Sequence, residues 1–134
     1  MPMAQVAEPI VVDARDGYLS ITLPAYESPE KKREQISAVY DAVTEHNAHR
    51  LLIDCRATRQ LVPVLDLYDL CLYMVATFGA LDIRIAALVS PEAAYPDRFG
   101  ENLLRNRGLD VIRFLEDEHN TVEWLLSGRK TPPR

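Results

Sequence analysis

Two nearly continuous apolar runs constrain the fold of this 134-residue chain more than any other feature. The stretch "RLLIDC" begins at residue 50, and "IRIAALVS" begins at residue 83. A strand with one solvated face alternates apolar and polar residues, whereas an unbroken apolar run is typical of a strand covered on both faces. The sequence therefore predicts two central strands of a sheet with helices on both sides. A weaker run, "LDVIRF" from residue 109, predicts a further strand.

The segments around these runs predict the remaining elements. Residues 9–23 predict a hairpin, because two β-branched arms flank a turn that contains Asp16 and Gly17. Ser28 followed by Pro29 is typical of a helix start. Further helices are predicted over residues 64–79, 96–107 and 117–127. This order favours an α/β fold with a mixed, mostly parallel sheet of about five strands and four helices.

Composition and charge narrow the function classes. The formal charge of -5 disfavours nucleic-acid binding, because the phosphates would be repelled on average. No apolar run approaches the roughly 20 residues that an integral membrane segment needs. The opening "MPMAQVAEPI" lacks the pattern of a signal peptide, and Cys55 and Cys71 form no disulfide framework. We expect a cytoplasmic protein with one domain over residues 1–134, a core over about 9–127 and a flexible basic tail over 128–134.

Polar side chains follow the two central strands, at the edge where ligands bind in open α/β sheets. We take these residues as a candidate rim for a ligand or partner: Asp54, Arg56, Thr58, Arg59, Ser90, Tyr95 and Arg98. The three arginines with Thr58 and Ser90 form an anion site in one interpretation and are ordinary solvated charges in the other. Asp54 is expected to accept hydrogen bonds from backbone N–H groups of its own loop.

No catalytic constellation is complete in the sequence. If Asp54 accepted a phosphoryl group, further acids would have to hold a metal and a lysine would have to neutralise charge, and the sequence offers neither. If Cys55 were a nucleophile, it would need a nearby base, which is also missing. His46 and His49 should lie at the opposite edge of the sheet from Cys55, and they are the only close pair of histidines. We therefore expect no enzyme, no metal and no cofactor. An unannounced activity that uses Asp54 and Tyr95 is the remaining alternative.

Three stretches carry a resemblance to a known family: "HRLLIDCRAT", "IRIAALVSPE" and "DVIRFLEDEHNTVEWLLSG". Over about residues 9–127 the chain resembles the SpoIIAA-like branch of the STAS superfamily. The resemblance implies a SpoIIAA-like (STAS-like) domain that acts as a non-enzymatic regulatory or protein-interaction module. Antagonists in that superfamily carry a phosphorylatable serine after the third main strand. Here only Thr58 stands in that loop, and the usual Asp-Ser-Ser-Gly run is absent.

The related Sec14-type lipid-transfer fold suggests an alternative function. In this alternative, the strand-end rim binds a small molecule, which is either an anion or an apolar ligand.

The second helix predicts an assembly. Apolar residues occupy most of "LDLYDLCLYMVATF", residues 65–78, which is more than one sheet-facing stripe requires. We expect Leu65, Leu72, Val75 and Tyr68 to cover the sheet. The remaining apolar face, which consists of Leu67, Leu70, Tyr73 and Met74, is predicted to form a homodimer. Cover by the first and third helices of the same chain is the alternative.

Overall fold

The structure is a computed structural model that describes residues 10–109 and 112–127. Within this part of the chain, five strands and four helices follow one another. They are β1 (Val11–Arg15), β2 (Tyr18–Thr22), α1 (Pro29–Glu45), β3 (Arg50–Asp54), α2 (Val64–Phe78), β4 (Arg84–Leu88), α3 (Phe99–Asn106), β5 (Ile112–Leu115) and α4 (Glu118–Ser127). The predicted α/β class, the strand number and the helix number are confirmed. The tail over residues 128–134 and the first residue of the predicted hairpin lie outside the described residues.

The strands form one mixed sheet in the order β1-β2-β3-β4-β5. Strand β1 pairs with β2 in the antiparallel sense, and every later neighbour is parallel. The hairpin turns at Gly17, whose φ of 90° is readily adopted only by glycine. The parallel strands therefore share one carboxyl edge, where β3 and β4 end at Asp54 and Leu88.

Strands β3 and β4 send alternate side chains to two separate cores. Leu51, Ile53 and Ile85 are buried in the larger core, together with residues of α1, α2 and α3. Leu52, Ala86 and Leu88 are buried with Leu125 of α4 in a smaller core. Both faces of the central strands are thus covered, which is the reason that their sequences show no polar alternation.

Helix α4 is anchored on the sheet through apolar side chains near its carboxyl end. Leu125 is fully buried at 0% exposure, and Val122 and Trp124 pack around it. The guanidinium of Arg84 lies 3.8 Å from the centre of the Trp124 ring and donates a hydrogen bond of 3.1 Å to the Trp124 carbonyl. Stacking and hydrogen bonding from one side chain thereby fix the end of this helix.

Helix α2 has the predicted length but the opposite orientation about its axis. Leu70 is only 7% exposed, and Leu67 and Met74 pack against the larger core. Leu65, by contrast, is 80% exposed, and Leu72 is also exposed. The predicted sheet-facing positions were therefore wrong for Leu65, Tyr68 and Leu72, whereas Val75 packs against the larger core. The predicted dimer face of Leu67, Leu70, Tyr73 and Met74 contacts the chain's own core.

A polar flank explains this orientation of α2. The Tyr26 hydroxyl donates to Asp66 at 2.8 Å, and Arg33 donates to Asp69 at 3.2 Å. The hydroxyls of Ser37 and Tyr73 are hydrogen-bonded at 2.6 Å. Asp66, Asp69 and Tyr73 lie at helical spacings of three and four residues, so they form one flank directed at α1 and the segment before it.

The third helix begins later than predicted. It starts at Phe99 instead of residue 96, because Asp97 and Arg98 have φ values of 59° and 56°. These left-handed conformations interrupt a helix. The preceding residues Pro96–Arg98 form a separate 3₁₀ turn.

Neighbouring leucines of α4 provide a test of the second core. Leu125→Ala should lower the free energy of unfolding by about 2–5 kcal/mol, because it leaves a cavity under the helix. Leu126→Ala, at a position that is 39% exposed, should cost less than about 1 kcal/mol. Urea denaturation followed by circular dichroism measures both values. Equal losses for the two variants would contradict the described packing of α4.

Candidate functional site

The predicted rim lies at the carboxyl edge of the sheet, but its arginines are paired with acids of the same chain. Arg56 contacts Asp54 at 2.8 Å and Glu118 at 3.2 Å. Arg59 pairs with Glu92 at 2.7 Å, and Arg98 pairs with Glu101 at 3.1 Å. A bound anion would have to compete with these carboxylates. The geometry therefore favours ordinary paired charges over an anion site formed by the arginines.

Asp54 has the structural role that the sequence predicted. Its Oδ1 atom accepts hydrogen bonds from the Arg56 backbone N–H at 3.0 Å and from Arg56 Nε at 3.1 Å. Burial opposes ionisation of this carboxyl, yet the hydrogen bonds from Arg56 hold the pKa of Asp54 below its usual value. Asp54 thus stabilises the turn after β3 as a carboxylate.

The hydroxyl residues of the rim tie loops together. Thr58 is 8% exposed, and its Oγ1 accepts a hydrogen bond of 2.9 Å from the Tyr26 backbone N–H. Ser90 donates to the Thr58 carbonyl at 2.8 Å, and the Tyr95 hydroxyl donates to the Val62 carbonyl. A kinase could not reach Thr58 without opening these contacts, so its burial argues against the phosphoacceptor role that the family resemblance suggested.

An apolar cavity of about 170 Å³ lies between the sheet and helices α1, α2 and α3. Its walls include Leu67, Leu70, Cys71, Met74 and Phe78 of α2 and Ile53, Ala87, Ile112 and Phe114 of the sheet. Ala87 stands beside Ile53 and Phe114 in register, at a position where the strand provides only a methyl group. This small side chain in the middle of a parallel sheet leaves space beneath α2.

A second space, an outer cleft of about 380 Å³, adjoins the cavity at the carboxyl edge. Both are lined by Val62, Leu67, Val89, Ala93 and Phe114. The outer cleft also contacts polar residues, among them Asp117 and Asn120. An apolar interior with a more polar opening is the arrangement typical of small-molecule sites.

Two thiols line the cavity but are poorly ionised. Burial raises the pKa of the Cys55 thiol, although the positive charge of Lys32 offsets part of this rise. Burial also raises the pKa of Cys71 to about 11. A thiolate is the nucleophilic form, so these side chains act as apolar wall atoms at neutral pH.

Glu101, which no sequence pattern indicated, is a buried acid that organises the third helix. Its side chain is 4% exposed and accepts a 3.0 Å hydrogen bond from the Phe114 backbone N–H of β5. Arg98, Arg105 and Arg113 surround it at 3.1, 3.6 and 3.9 Å. No local pattern around Glu101 indicates its burial, because that burial depends on how α3 packs against β5.

Within the described part of the chain, the histidines and other possible metal ligands form no second site. His46 and His49 lie with Gly17 and Tyr18 at the amino edge of the parallel strands, opposite Cys55 as predicted. Among residues 10–109 and 112–127, no three metal-ligating side chains are grouped to hold an ion. No helix in these ranges has both the length and the apolar character that crossing a membrane requires.

Comparisons with family models, with curated proteins and with solved structures found no match for this chain. The SpoIIAA-like resemblance and the functions that it implies therefore stay predictions.

Thiol reactivity tests the dry character of the cavity. At neutral pH, Cys71 should react with iodoacetamide at least about 100-fold more slowly in the folded protein than in urea, because a raised pKa and burial both reduce accessible thiolate. Raising the pH should increase the folded-state rate well beyond the point at which the unfolded rate levels off. Mass spectrometry of timed samples gives the rate at each cysteine. Equal folded and unfolded rates at Cys71 would mean that the cavity is open to water.

Proposed function

We propose that this protein binds a small, largely apolar molecule in the cavity beneath α2 and performs no chemistry on it. The observation that carries the proposal is an apolar cavity joined to a cleft at the carboxyl edge of a parallel sheet. Asp54 and Tyr95, the residues of the alternative catalytic interpretation, are both engaged in structural hydrogen bonds. That engagement supports a binding role over an acid–base role.

The size of the cavity limits the ligand. Cavities of about 150 Å³ lined by aliphatic and aromatic side chains remain dry and take up benzene. The 170 Å³ beneath α2 therefore suits a ring or an aliphatic chain of about six carbons. A longer molecule would extend past Val62 and Phe114 into the outer cleft.

Filling the cavity should weaken binding without unfolding the protein. Ala87→Val adds two methyl-sized groups to the cavity wall, so the affinity for neutral probes such as hexanol and toluene should fall about tenfold or more. Stability should stay constant or rise, since filled space improves packing. Isothermal titration calorimetry measures the affinity, and urea denaturation measures the stability.

The adjacent alanine is the matched control. Ala86 faces the α4 core and is fully buried, so Ala86→Val should overpack that core and cost about 1–3 kcal/mol. Its effect on probe affinity should be small where the variant is folded. A wild-type protein that binds neither probe would refute the proposed function.

A second candidate function is self-association through the outer α2 face, which comprises Leu61, Val64, Leu65, Tyr68 and Leu72. All five side chains are exposed, and Leu65 is the most exposed at 80%. A two-fold contact places the same apolar stripe on both sides and removes it from water. This face replaces the one predicted from the sequence. A regulatory protein partner remains a prediction of the family resemblance.

Charge on the outer α2 face should prevent such a dimer. Leu65→Lys should shift the mass from dimer to monomer at micromolar concentration, because two like charges would oppose each other across the two-fold axis. Leu126→Lys, on a partly exposed leucine of α4, is the control and should leave the mass unchanged. Sedimentation equilibrium decides the outcome. A wild-type protein that sediments as a monomer throughout would exclude this candidate.

A further inference from the structure

Lys32 lines the apolar cavity and forms no ion pair with a carboxylate of the described residues. Lys32, in the second turn of α1, is a half-buried wall residue of the cavity. Among residues 10–109 and 112–127, its ammonium forms no ion pair or hydrogen bond, and its backbone N–H bonds to Ser28. The neighbouring Lys31 differs, because its ammonium pairs with Glu27 at 2.8 Å. An ammonium at the wall of an apolar space has an unmet preference for an anion.

Two acids, Asp54 at the end of β3 and Asp66 in α2, are already engaged. Asp54 carries the hydrogen bonds of Arg56, and Asp66 accepts the Tyr26 hydroxyl. The positive charge of Lys32 acts on the Cys55 thiol, but burial still raises the pKa of that thiol. Cys55 therefore supplies no negative charge at neutral pH. Neither carboxylate is therefore free to neutralise Lys32, and an anionic ligand in the cavity would do so.

A second polar group of the cavity, the Thr58 hydroxyl, could also donate a hydrogen bond to an anion. Thr58 lines the cavity, and its Oγ1 accepts from Tyr26 but donates no hydrogen bond within the described residues. An ammonium and a free hydroxyl proton are both donors, and a carboxylate is an acceptor only. The other walls of the cavity are almost entirely apolar.

We infer that the ligand is a small monocarboxylate whose carboxylate pairs with Lys32 and whose apolar body of about six carbons fills the cavity. This inference rests on the proposed function and adds the chemical class of the ligand. A neutral molecule of the same shape leaves the Lys32 charge uncompensated in an apolar wall. A cationic molecule adds repulsion to that cost. The site therefore selects hexanoate over hexanol and rejects hexylammonium.

The competing explanation is that Lys32 only covers the cavity with its aliphatic stem and directs its charge to water. Lys32→Met keeps a long apolar stem and removes the charge, so it separates the two explanations. Lys31→Met is the matched control, because it removes one positive charge from the adjacent residue, which is outside the cavity lining.

Calorimetric titrations with hexanoate, hexanol and hexylammonium chloride test the inference on the full chain. The wild type should bind hexanoate about tenfold more tightly than hexanol, as expected for one charge-assisted hydrogen bond, and should bind hexylammonium least. Lys32→Met should remove the preference for hexanoate and keep the affinity for hexanol, whereas Lys32→Arg and Lys31→Met should keep the preference. Equal binding of hexanoate and hexanol, or an undiminished preference in Lys32→Met, would overturn the ligand class while the apolar site stands. Failure of all three probes to bind would overturn the site itself.

Discussion

The burial of β3 and β4 on both faces is the constraint on which the rest of the structure depends. Because side chains alternate across a strand, each of these strands must provide apolar groups to two cores at once. Leu51 and Ile53 serve the layer of α1, α2 and α3, whereas Leu52 serves α4. The order of the strands follows, because each helix between parallel neighbours returns the chain to the same edge of the sheet.

The candidate site arises where this packing is incomplete. Strand β4 carries alanine toward both cores, and the two positions have different surroundings. Ala86 is fully enclosed beneath α4, whereas Ala87 borders the cavity beneath α2. The polar contacts of Asp66, Asp69 and Tyr73 hold α2 to α1 and its preceding segment, so they support α2 above the cavity. Because these hydrogen bonds fix the position of α2, the helix does not move inward to fill the cavity, as close packing alone would favour.

Electrostatics distinguish the cavity from the rim that surrounds it. The arginines of the rim are neutralised by Asp54, Glu92 and Glu101, which stabilises loops and leaves little attraction for an external anion. Lys32 is different because it forms no ion pair among the described residues, and Asp54 and Asp66 have other partners. The charge relevant to a ligand is therefore the single lysine at the apolar wall, and the more numerous arginines have structural roles.

The sequence by itself determined the elements, the class of the fold and the edge of the sheet at which a site would lie. Unbroken apolar runs and helix-start residues are local signals, and the parallel arrangement follows from their alternation along the chain. Only the tertiary structure decided which face of α2 is buried. Leu65 and Leu70 lie on two different faces of the helix, and both faces are apolar at helical spacing, so the pattern does not distinguish them. It also decided that Thr58 and Glu101 are buried and that Lys32 borders a cavity. Each of these properties depends on contacts between residues distant in sequence, and hydrophobic periodicity contains no information on which distant partners an apolar or charged side chain will meet.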